Sequence, residues 1–355
     1  MPPLHGIEVT DEITSMIRFR TSVVYEMLIS LTTLLDSRRH IAWANSARET
    51  LPSDFWDDLR TVIEPFHQGR DLLELAVYYP NHDDVPGFIN YVRSMDEATF
   101  IFHLVGRVIP LAVLRKIDLT VAGLTQELEH SEPNYYQYFC EHVPMDKVVE
   151  DIRGFQNRLA DLWQDYWDSF FSSQVATIYP IWEKGLMDKE ELMARSGGRA
   201  LLDQLLINKK LPQPLPQDHP FTEILLVPVY LISGHMTMFF GYGNITILFD
   251  SERTTARLAQ IEEAKEETLA TLKALADSTR LKILQLIARS DGKMNGKKIA
   301  EMLNLSASAV SRHLAQLKDG GLITEESLDN RIITYWLKKD VIASLPDKLL
   351  EYLFD

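Results

Sequence analysis

Three stretches of the carboxyl-terminal third decide the fold of that region. Residues 275–287 read LADSTRLKILQLI, residues 299–323 read IAEMLNLSASAVSRHLAQLKDGGLI, and residues 331–337 read RIITYWL. Apolar residues recur at helical spacing in the first two stretches, and strand-forming residues dominate the third. Together they predict a helix, a helix-turn-helix and then a β-hairpin.

The turn between the second and third helices has its own local signals. Asp277 or Ser278 can cap the helix that Thr279 begins, and a second helix is expected over Asn295–Leu303. Asn304-Leu305-Ser306 then makes the turn, because Asn tolerates the left-handed backbone conformation and Ser can cap the helix that follows.

The third helix has two chemically different sides. Val310, Leu314 and Leu317 form an apolar stripe, whereas the opposite side carries small hydroxyl, guanidinium and amide groups. Hydroxyls allow close approach to a major groove, and Arg and Gln suit guanine and adenine edges. His313 lies near the boundary of the stripe, where packing or a phosphate contact is expected. The predicted DNA-binding residues are Ser306, Ser308, Ser311, Arg312, His313, Gln316, Lys318 and Arg331.

The region after the third helix predicts a β-hairpin wing. Gly320-Gly321 ends the helix, and the runs Leu322–Leu328 and Arg331–Leu337 flank a tight turn at Asp329-Asn330. Arg331 at the tip is positioned to reach a DNA backbone or minor groove.

In order and spacing, these motifs resemble the winged helix of the ArsR-type (arsenic-repressor-like) bacterial regulators. The resemblance covers under a fifth of the chain and implies a cytoplasmic homodimer whose paired recognition helices read a two-fold site on double-stranded DNA. Ser278 stands where the family usually has proline, and Ala307 where glutamine is common. Metal-sensing members hold their ion with cysteines on the helix before the turn, and Asn295–Leu303 contains none, so metal sensing is not expected.

Charge is distributed unevenly along the chain. The formal net charge is −15, yet residues 252–355 contain 16 basic and 16 acidic side chains, so the acidic excess lies in residues 1–251. Phosphate contacts depend on nearby charge, which salt screens over about 10 Å, so the net charge does not exclude DNA binding. The single cysteine, Cys140, excludes an internal disulfide.

The remaining sequence predicts a mainly α fold with small β elements, in which a large helical domain precedes the winged helix-turn-helix. Helices are expected between Ser22 and Leu206, with breaks at residues 80–84, 132–134 and 196–198. One of them is expected over Glu97–Leu114, and another carries Leu28, Leu31 and Leu35 on one face. The proline-rich residues 211–220 predict an extended connector. Strand-like runs over residues 221–250 could form a small meander, and their most apolar window, Ile224–Phe240, is interpreted as buried strands instead of a membrane span.

Four segments follow from these patterns. They are an acidic, mostly helical regulatory domain over 1–250, a connecting or dimerisation helix over 251–276, the winged helix-turn-helix over 277–340, and a carboxyl-terminal helix over 341–355 that could contact a second subunit. The stripe of Leu258, Ile261, Thr268, Leu272 and Leu275 predicts packing within the chain or pairing with a partner.

Other clusters favour structural roles. Glu127, Glu129, His130, Cys140, Glu141 and His142 match no metal-ligand spacing. The pair Asp83-Asp84 follows His82 in a polar break and predicts a solvated turn more than acid–base catalysis. The aromatic residues Trp163, Tyr166, Trp167, Phe170, Phe171, Tyr179 and Trp182 predict a core or interface, with a ligand pocket as the alternative.

The sequence therefore predicts a cytoplasmic DNA-binding transcription regulator. A homodimeric repressor with an effector-responsive amino-terminal domain is the leading hypothesis; no catalytic residue, metal, cofactor or membrane contact is expected, and any cofactor-binding residue is unknown. The alternative is a small-molecule-binding or enzymatic amino-terminal domain fused to an autoregulatory DNA-binding module. A protein-interaction scaffold is a third possibility.

Overall fold

The apolar segments of the first 206 residues fold into helices around a central helix, α2 (Val23–Leu35). Ser22 caps α2 by accepting a hydrogen bond from the Tyr25 backbone N–H at 2.9 Å. Nearly every residue of α2 is buried, including Glu26 and Ser30. A helix that is enclosed on all sides is a core helix, so the single buried stripe that the spacing predicted underestimates its burial.

The computed structural model describes residues 11–36, 39–131, 143–206, 221–232, 234–241, 243–290, 294–327 and 333–354. The helices of the first part are α1 (Asp11–Met16), α2, α3 (Ile41–Thr50), α4 (Ser53–Asp58), α5 (Val85–Ser94), α6 (Glu97–Leu104), α7 (Leu111–Leu114), α8 (Val121–Ser131), α9 (Met145–Val149), α10 (Ile152–Ser169) and α11 (Val175–Leu206). A π-helical turn over Leu59–Ile63 and 3-10 segments over His67–Ala76 and Phe171–Gln174 complete this part. The predicted connector over 211–220 and the predicted break at 132–134 lie outside the described residues.

Local chemistry explains several helix boundaries. Asp84 caps α5 by accepting from the Gly87 N–H at 2.9 Å, so the predicted solvated turn has a structural use. The predicted helix Glu97–Leu114 is wrong in extent, because the chain turns out of α6 through Gly106 (φ 66°) and Arg107 (φ 58°) before α7 begins. The predicted break at 196–198 is confirmed as a kink inside α11, where Gly197 has φ 82°.

A mixed four-stranded sheet lies in the same part of the chain. Its strands are β1 (Ile17–Phe19), β2 (Glu223–Val229), β3 (Met236–Gly241) and β4 (Asn244–Asp250), in the order β1-β2-β4-β3. β2 pairs in parallel with both β1 and β4, and β3 pairs antiparallel with β4.

The strands over 221–250 are confirmed, but the predicted meander is wrong. A meander would place β3 between β2 and β4, whereas β4 occupies that position. After its first residue, each of β2 and β4 is buried at every position. A central strand covered on both faces reads as a continuous apolar run, from which strand order cannot be deduced.

Each face of the sheet packs on a separate apolar core. Leu225, Val227 and Leu248 face the core around α2 and α10, whereas Leu226 and Ile247 face a smaller core with α1 and the end of α11. The aromatic cluster predicted as core or interface is largely core, since Trp163, Tyr166, Phe171 and Trp182 are fully buried.

The chain from Thr255 onward contains the winged helix that the sequence predicts over 277–340. Its elements are α12 (Thr255–Leu275), α13 (Ser278–Ser290), α14 (Gly296–Leu303), α15 (Ala307–Asp319), β5 (Ile323–Ser327), β6 (Ile333–Leu337) and α16 (Lys339–Phe354). β5 and β6 pair antiparallel, with Ser327 opposite Ile333, and the predicted turn Asp329-Asn330 lies outside the described residues. Ile283, Ile299, Leu314 and Leu322 centre a core of their own.

The chain thus divides into two units, unit 1 (Met1–Thr254) and unit 2 (Thr255–Asp355). Among the described residues, no helix has the length and apolarity needed to cross a lipid bilayer.

Candidate DNA-binding surface

The turn between α14 and α15 sets the position of the third helix of the motif. Asn304 ends α14 in the left-handed conformation, at φ 52° and ψ 47°, as its residue type predicted. Ser306 then caps α15 by accepting from the Ala309 N–H at 3.2 Å, and its hydroxyl lies 3.1 Å from that of Ser308. The predicted capping role of Ser306 is confirmed.

Helix α15 buries one stripe and leaves the opposite face exposed. Val310, Leu314 and Leu317 are at most 5% exposed and anchor the helix in the core of unit 2. Ser308 and Arg312 are exposed on the opposite side, followed by Ala315 and Asp319 at helical spacing. This line, Ser308 to Asp319, is the centre of the exposed face.

The sequence interpretation did not name Ala315 and Asp319. Their spacing from Arg312, at i+3 and i+7, is the signal that could have found them. Ala315 allows close approach of a groove, whereas the carboxylate of Asp319 repels phosphate at the carboxyl end of the helix. Phosphate contacts are therefore favoured at the amino-terminal turns of α15, where the helix dipole also attracts phosphate.

The two flanks of this face carry the other predicted residues. Ser311 and Lys318 lie on one flank, seven residues apart, and both are exposed. The Lys318 Nζ donates to Glu325 Oε1 on β5 at 2.5 Å, and this hydrogen bond raises the pKa of the Lys318 amine. Lys318 consequently ties α15 to the wing.

His313 and Gln316 lie on the other flank, next to the start of α13. The side chain of His313 is 15% exposed, and its Nδ1 is 4.0 Å from Asp277 Oδ1. Asp277 accepts from the Arg280 backbone N–H at 2.8 Å, which lowers the pKa of the Asp277 carboxyl. This position matches the packing role expected for His313.

Arg280 makes hydrogen bonds that no sequence pattern indicated. Its guanidinium donates to Gln316 Oε1 at 2.6 Å and to the backbone carbonyls of Ala274 and Lys273 at 2.6 and 2.7 Å. It therefore links the last turn of α12 to the exposed flank of α15. Its place in the first turn after the Asp277 cap gives no hint of a partner 36 residues away.

Strand β6 of the wing carries exposed apolar side chains. Ile333 is 47% exposed and Trp336 is 41% exposed, and the indole N–H of Trp336 donates to Glu326 Oε2 at 2.7 Å. Thr334 forms an isolated bridge with Asn295, which attaches the wing to the start of α14. Arg331, the predicted tip residue, lies outside the described residues.

Comparisons with known proteins identify the motif. A family model described as "Bacterial regulatory protein, arsR family" matches residues 277–325. The HTH-type transcriptional regulator YgaV of Escherichia coli (strain K12) is 36% identical over 88 residues, which are 25% of this chain and 87% of that protein. The chain belongs to the ArsR family.

One solved structure also matches part of this ArsR-family protein. Reduced HlyU from Vibrio cholerae N16961 has 30% sequence identity and covers 27% of this chain and 96% of its own, with a TM-score of 0.21. The family model lies wholly within unit 2, and YgaV corresponds to a quarter of the chain. The ArsR-family protein is thus a DNA-binding transcription regulator that carries a further unit of about 250 residues.

The remaining candidates of the sequence were polar clusters in unit 1. Within the described ranges, no three His, Cys, Asp or Glu side chains converge as metal ligands would. Three members of the acidic and histidine cluster, Cys140, Glu141 and His142, lie outside those ranges, so that prediction stays untested.

Proposed function

We propose that this regulator is a cytoplasmic homodimeric repressor that binds a two-fold operator with two copies of α15. The observation that supports it is the exposed face of α15, where hydroxyls, a guanidinium and an amide project opposite the buried stripe. In a two-fold complex, the two helices would enter successive major grooves about 34 Å apart.

We further propose that unit 1 controls this binding in response to a small molecule. A buried polar cluster on one face of the sheet supports this role. Arg107 is fully buried and reaches Asn244 on β4 at 2.7 Å, while Tyr25 packs on Phe239, the register partner of Thr246.

One guanidinium nitrogen of this cluster, Arg107 Nη2, has no hydrogen-bond partner among the described residues, whereas the buried hydroxyls of Tyr25 and Thr246 interact with each other. Buried polar groups are almost always paired, so the unpaired guanidinium nitrogen favours a polar guest. Arg107 also holds the left-handed conformation at φ 58°, and strained backbone of this kind concentrates at ligand sites. Unit 1 would act by binding rather than by catalysis, in keeping with the regulators that the chain resembles.

An Arg312→Ala variant tests the DNA-reading face. Operator sequences would first be recovered by genomic footprinting of the full chain. The variant should then bind its operator about tenfold or more weakly, because one base-reading group is lost. Arg60→Ala is the matched control, since Arg60 is an exposed arginine of unit 1 with a 3.1 Å ion pair to Asp57. Equal operator affinity of Arg312→Ala and wild type in a gel-shift titration would refute the assigned face.

Two further measurements test the finer parts of the proposal. Sedimentation of the free protein should give twice the chain mass, and a reporter behind the recovered operator should become more active when the regulator is deleted. A monomer that binds one half-site, or a reporter that falls silent, would refute the dimer or the repressor role respectively.

A further inference from the structure

We propose that Arg280 is a specificity-determining positioning residue. It orients the side-chain amide of Gln316 so that the amide nitrogen donates to hydrogen-bond acceptors on a base edge, which favours guanine over adenine. The inference rests on the proposed DNA-reading role of α15. It concerns how one position of that face selects a base.

Arg280 is held by the end of another helix. Its Nε donates to the Ala274 carbonyl at 2.6 Å, and its Nη2 donates to the Lys273 carbonyl at 2.7 Å. Both carbonyls belong to the last turn of α12, where backbone acceptors have no partner within their own helix. The Arg280 backbone is fixed as well, because its N–H donates to the Asp277 cap. The guanidinium is therefore a rigid element of the protein surface.

The remaining guanidinium nitrogen determines how the Gln316 amide faces. Arg280 Nη1 lies 2.6 Å from Gln316 Oε1. A guanidinium only donates hydrogen bonds, so the atom opposite it must be the amide oxygen and not the amide nitrogen. The Gln316 Nε2 is consequently the end of the amide that is directed away from Arg280, on the exposed flank of α15.

This orientation favours one kind of base. The two-bond pairing of a glutamine with adenine uses the amide oxygen as acceptor and the amide nitrogen as donor. Here the oxygen already accepts from a charged donor, and adenine N6 would have to share it. Guanine offers only acceptors, O6 and N7, along its major-groove edge, so Gln316 Nε2 can donate to it without using the amide oxygen that Arg280 holds.

Selection of binding sites from a randomised duplex library tests the inference with the full-length protein. The variants are Arg280→Met, Gln316→Met and the double variant, with Arg289→Met as control, an exposed arginine in the last turn of the same helix, α13. Wild type and Arg289→Met should enrich guanine at one position of each half-site. Gln316→Met should lose that preference, and Arg280→Met should reduce guanine over adenine about tenfold there, with the other positions unchanged.

The double variant should resemble Gln316→Met alone, because Arg280 acts through Gln316. Three results would overturn the inference. Arg280→Met could give the wild-type profile, wild type could select adenine at the position that depends on Gln316, or Arg280→Met could lose preference equally at all positions. Wild-type protein that enriches no sequence would instead refute the proposed operator binding itself. Thermal melting of each variant distinguishes a changed base preference from partial unfolding.

Discussion

Replacing Arg107 by methionine should destabilise unit 1 by about 3–5 kcal/mol, because the change leaves a buried carboxylate without its counter-charge. Arg107 Nε donates to Glu74 Oε2 at 2.6 Å, and the two side chains are 0% and 7% exposed. Burial is the largest influence and lowers the pKa of Arg107, but the charge and hydrogen bond of Glu74 together with Tyr78 outweigh it and hold that pKa above its usual value. The guanidinium also donates to the Gly241 carbonyl at 2.9 Å and to Asn244 Oδ1 at 2.7 Å.

The double variant Arg107→Met, Glu74→Met separates charge from packing. It removes both charges and leaves the Gly241 and Asn244 acceptors unpaired, each costing about 1 kcal/mol, whereas the Tyr78 hydroxyl, a third acceptor at 3.4 Å, belongs to an exposed side chain. The double variant should therefore lie within about 2 kcal/mol of wild type, less destabilised than Arg107→Met alone. Arg60→Met, which breaks an exposed ion pair, should cause no measurable change.

Urea unfolding followed by tryptophan fluorescence measures this difference in the intact chain. Trp336 is the one tryptophan of unit 2, and the other five lie in unit 1, where Trp163 and Trp182 are fully buried. The signal thus reports mainly on unit 1. An Arg107→Met protein within about 1 kcal/mol of wild type, or a double variant as unstable as the single one, would refute the reasoning.

Three further perturbations have defined outcomes. Gly320→Ala should destabilise unit 2 by about 1–3 kcal/mol, because the new Cβ would lie 2.5 Å from Ala274 Cβ. Gly296→Ala is the control and should be tolerated, since the nearest neighbour of its new Cβ, Leu314 Cδ1, is 3.7 Å away. Hydrogen exchange in α15 should become faster in the first variant alone. Ser306→Ala should destabilise unit 2 by about 1 kcal/mol through loss of the α15 cap, seen as faster exchange of the Ala309 amide, and unchanged exchange would count against it. Acidification from pH 6.5 to pH 4 should lower the melting temperature of unit 1. Burial lowers the pKa of His40, His82 and His103 from 6.5 to about 4 in the folded chain. Between these pH values the unfolded chain therefore takes up protons that the folded chain does not, which favours unfolding. Burial raises the pKa of Glu26 from 4.5 to about 7 and also raises that of Glu74, and both shifts oppose this trend, but two carboxyls are set against three imidazoles. His82→Gln should flatten the profile, and a melting temperature that rises on acidification would contradict the assignment.

The winged helix was predictable because its signals are local. The Asn304 turn, the Ser306 cap and the Gly320-Gly321 end each depend on residues within one helical turn of the position that they determine. The exposed and buried faces of α15 follow from helical periodicity in the same way. Such features need no knowledge of distant parts of the chain.

Only the fold class of unit 1 was predictable from the sequence, because its topology depends on contacts between residues far apart in the chain. β1 has three residues, too few to show a period, and its partner β2 begins about 200 residues later. The contact between Arg280 and Gln316 is hidden for the same reason, since its geometry exists only after α13 and α15 have packed. Gly106 and Pro110 were local signals for the break after α6, but the apolar period across them favoured one helix.

Three separate contacts join the end of α12 to α15, so we expect the two to move as one body. Thr271 Oγ1 donates to the Gly320 carbonyl at 2.9 Å, Arg280 links the Ala274 carbonyl to Gln316, and Gly320 has no room for a side chain against Ala274. Rotating α15 within a protomer would break all three. Within the proposed regulation, a signal therefore acts more easily on the separation of the two α15 helices in a dimer than on the orientation of either one, and α12, which follows unit 1 directly in the chain, is the element that would transmit it.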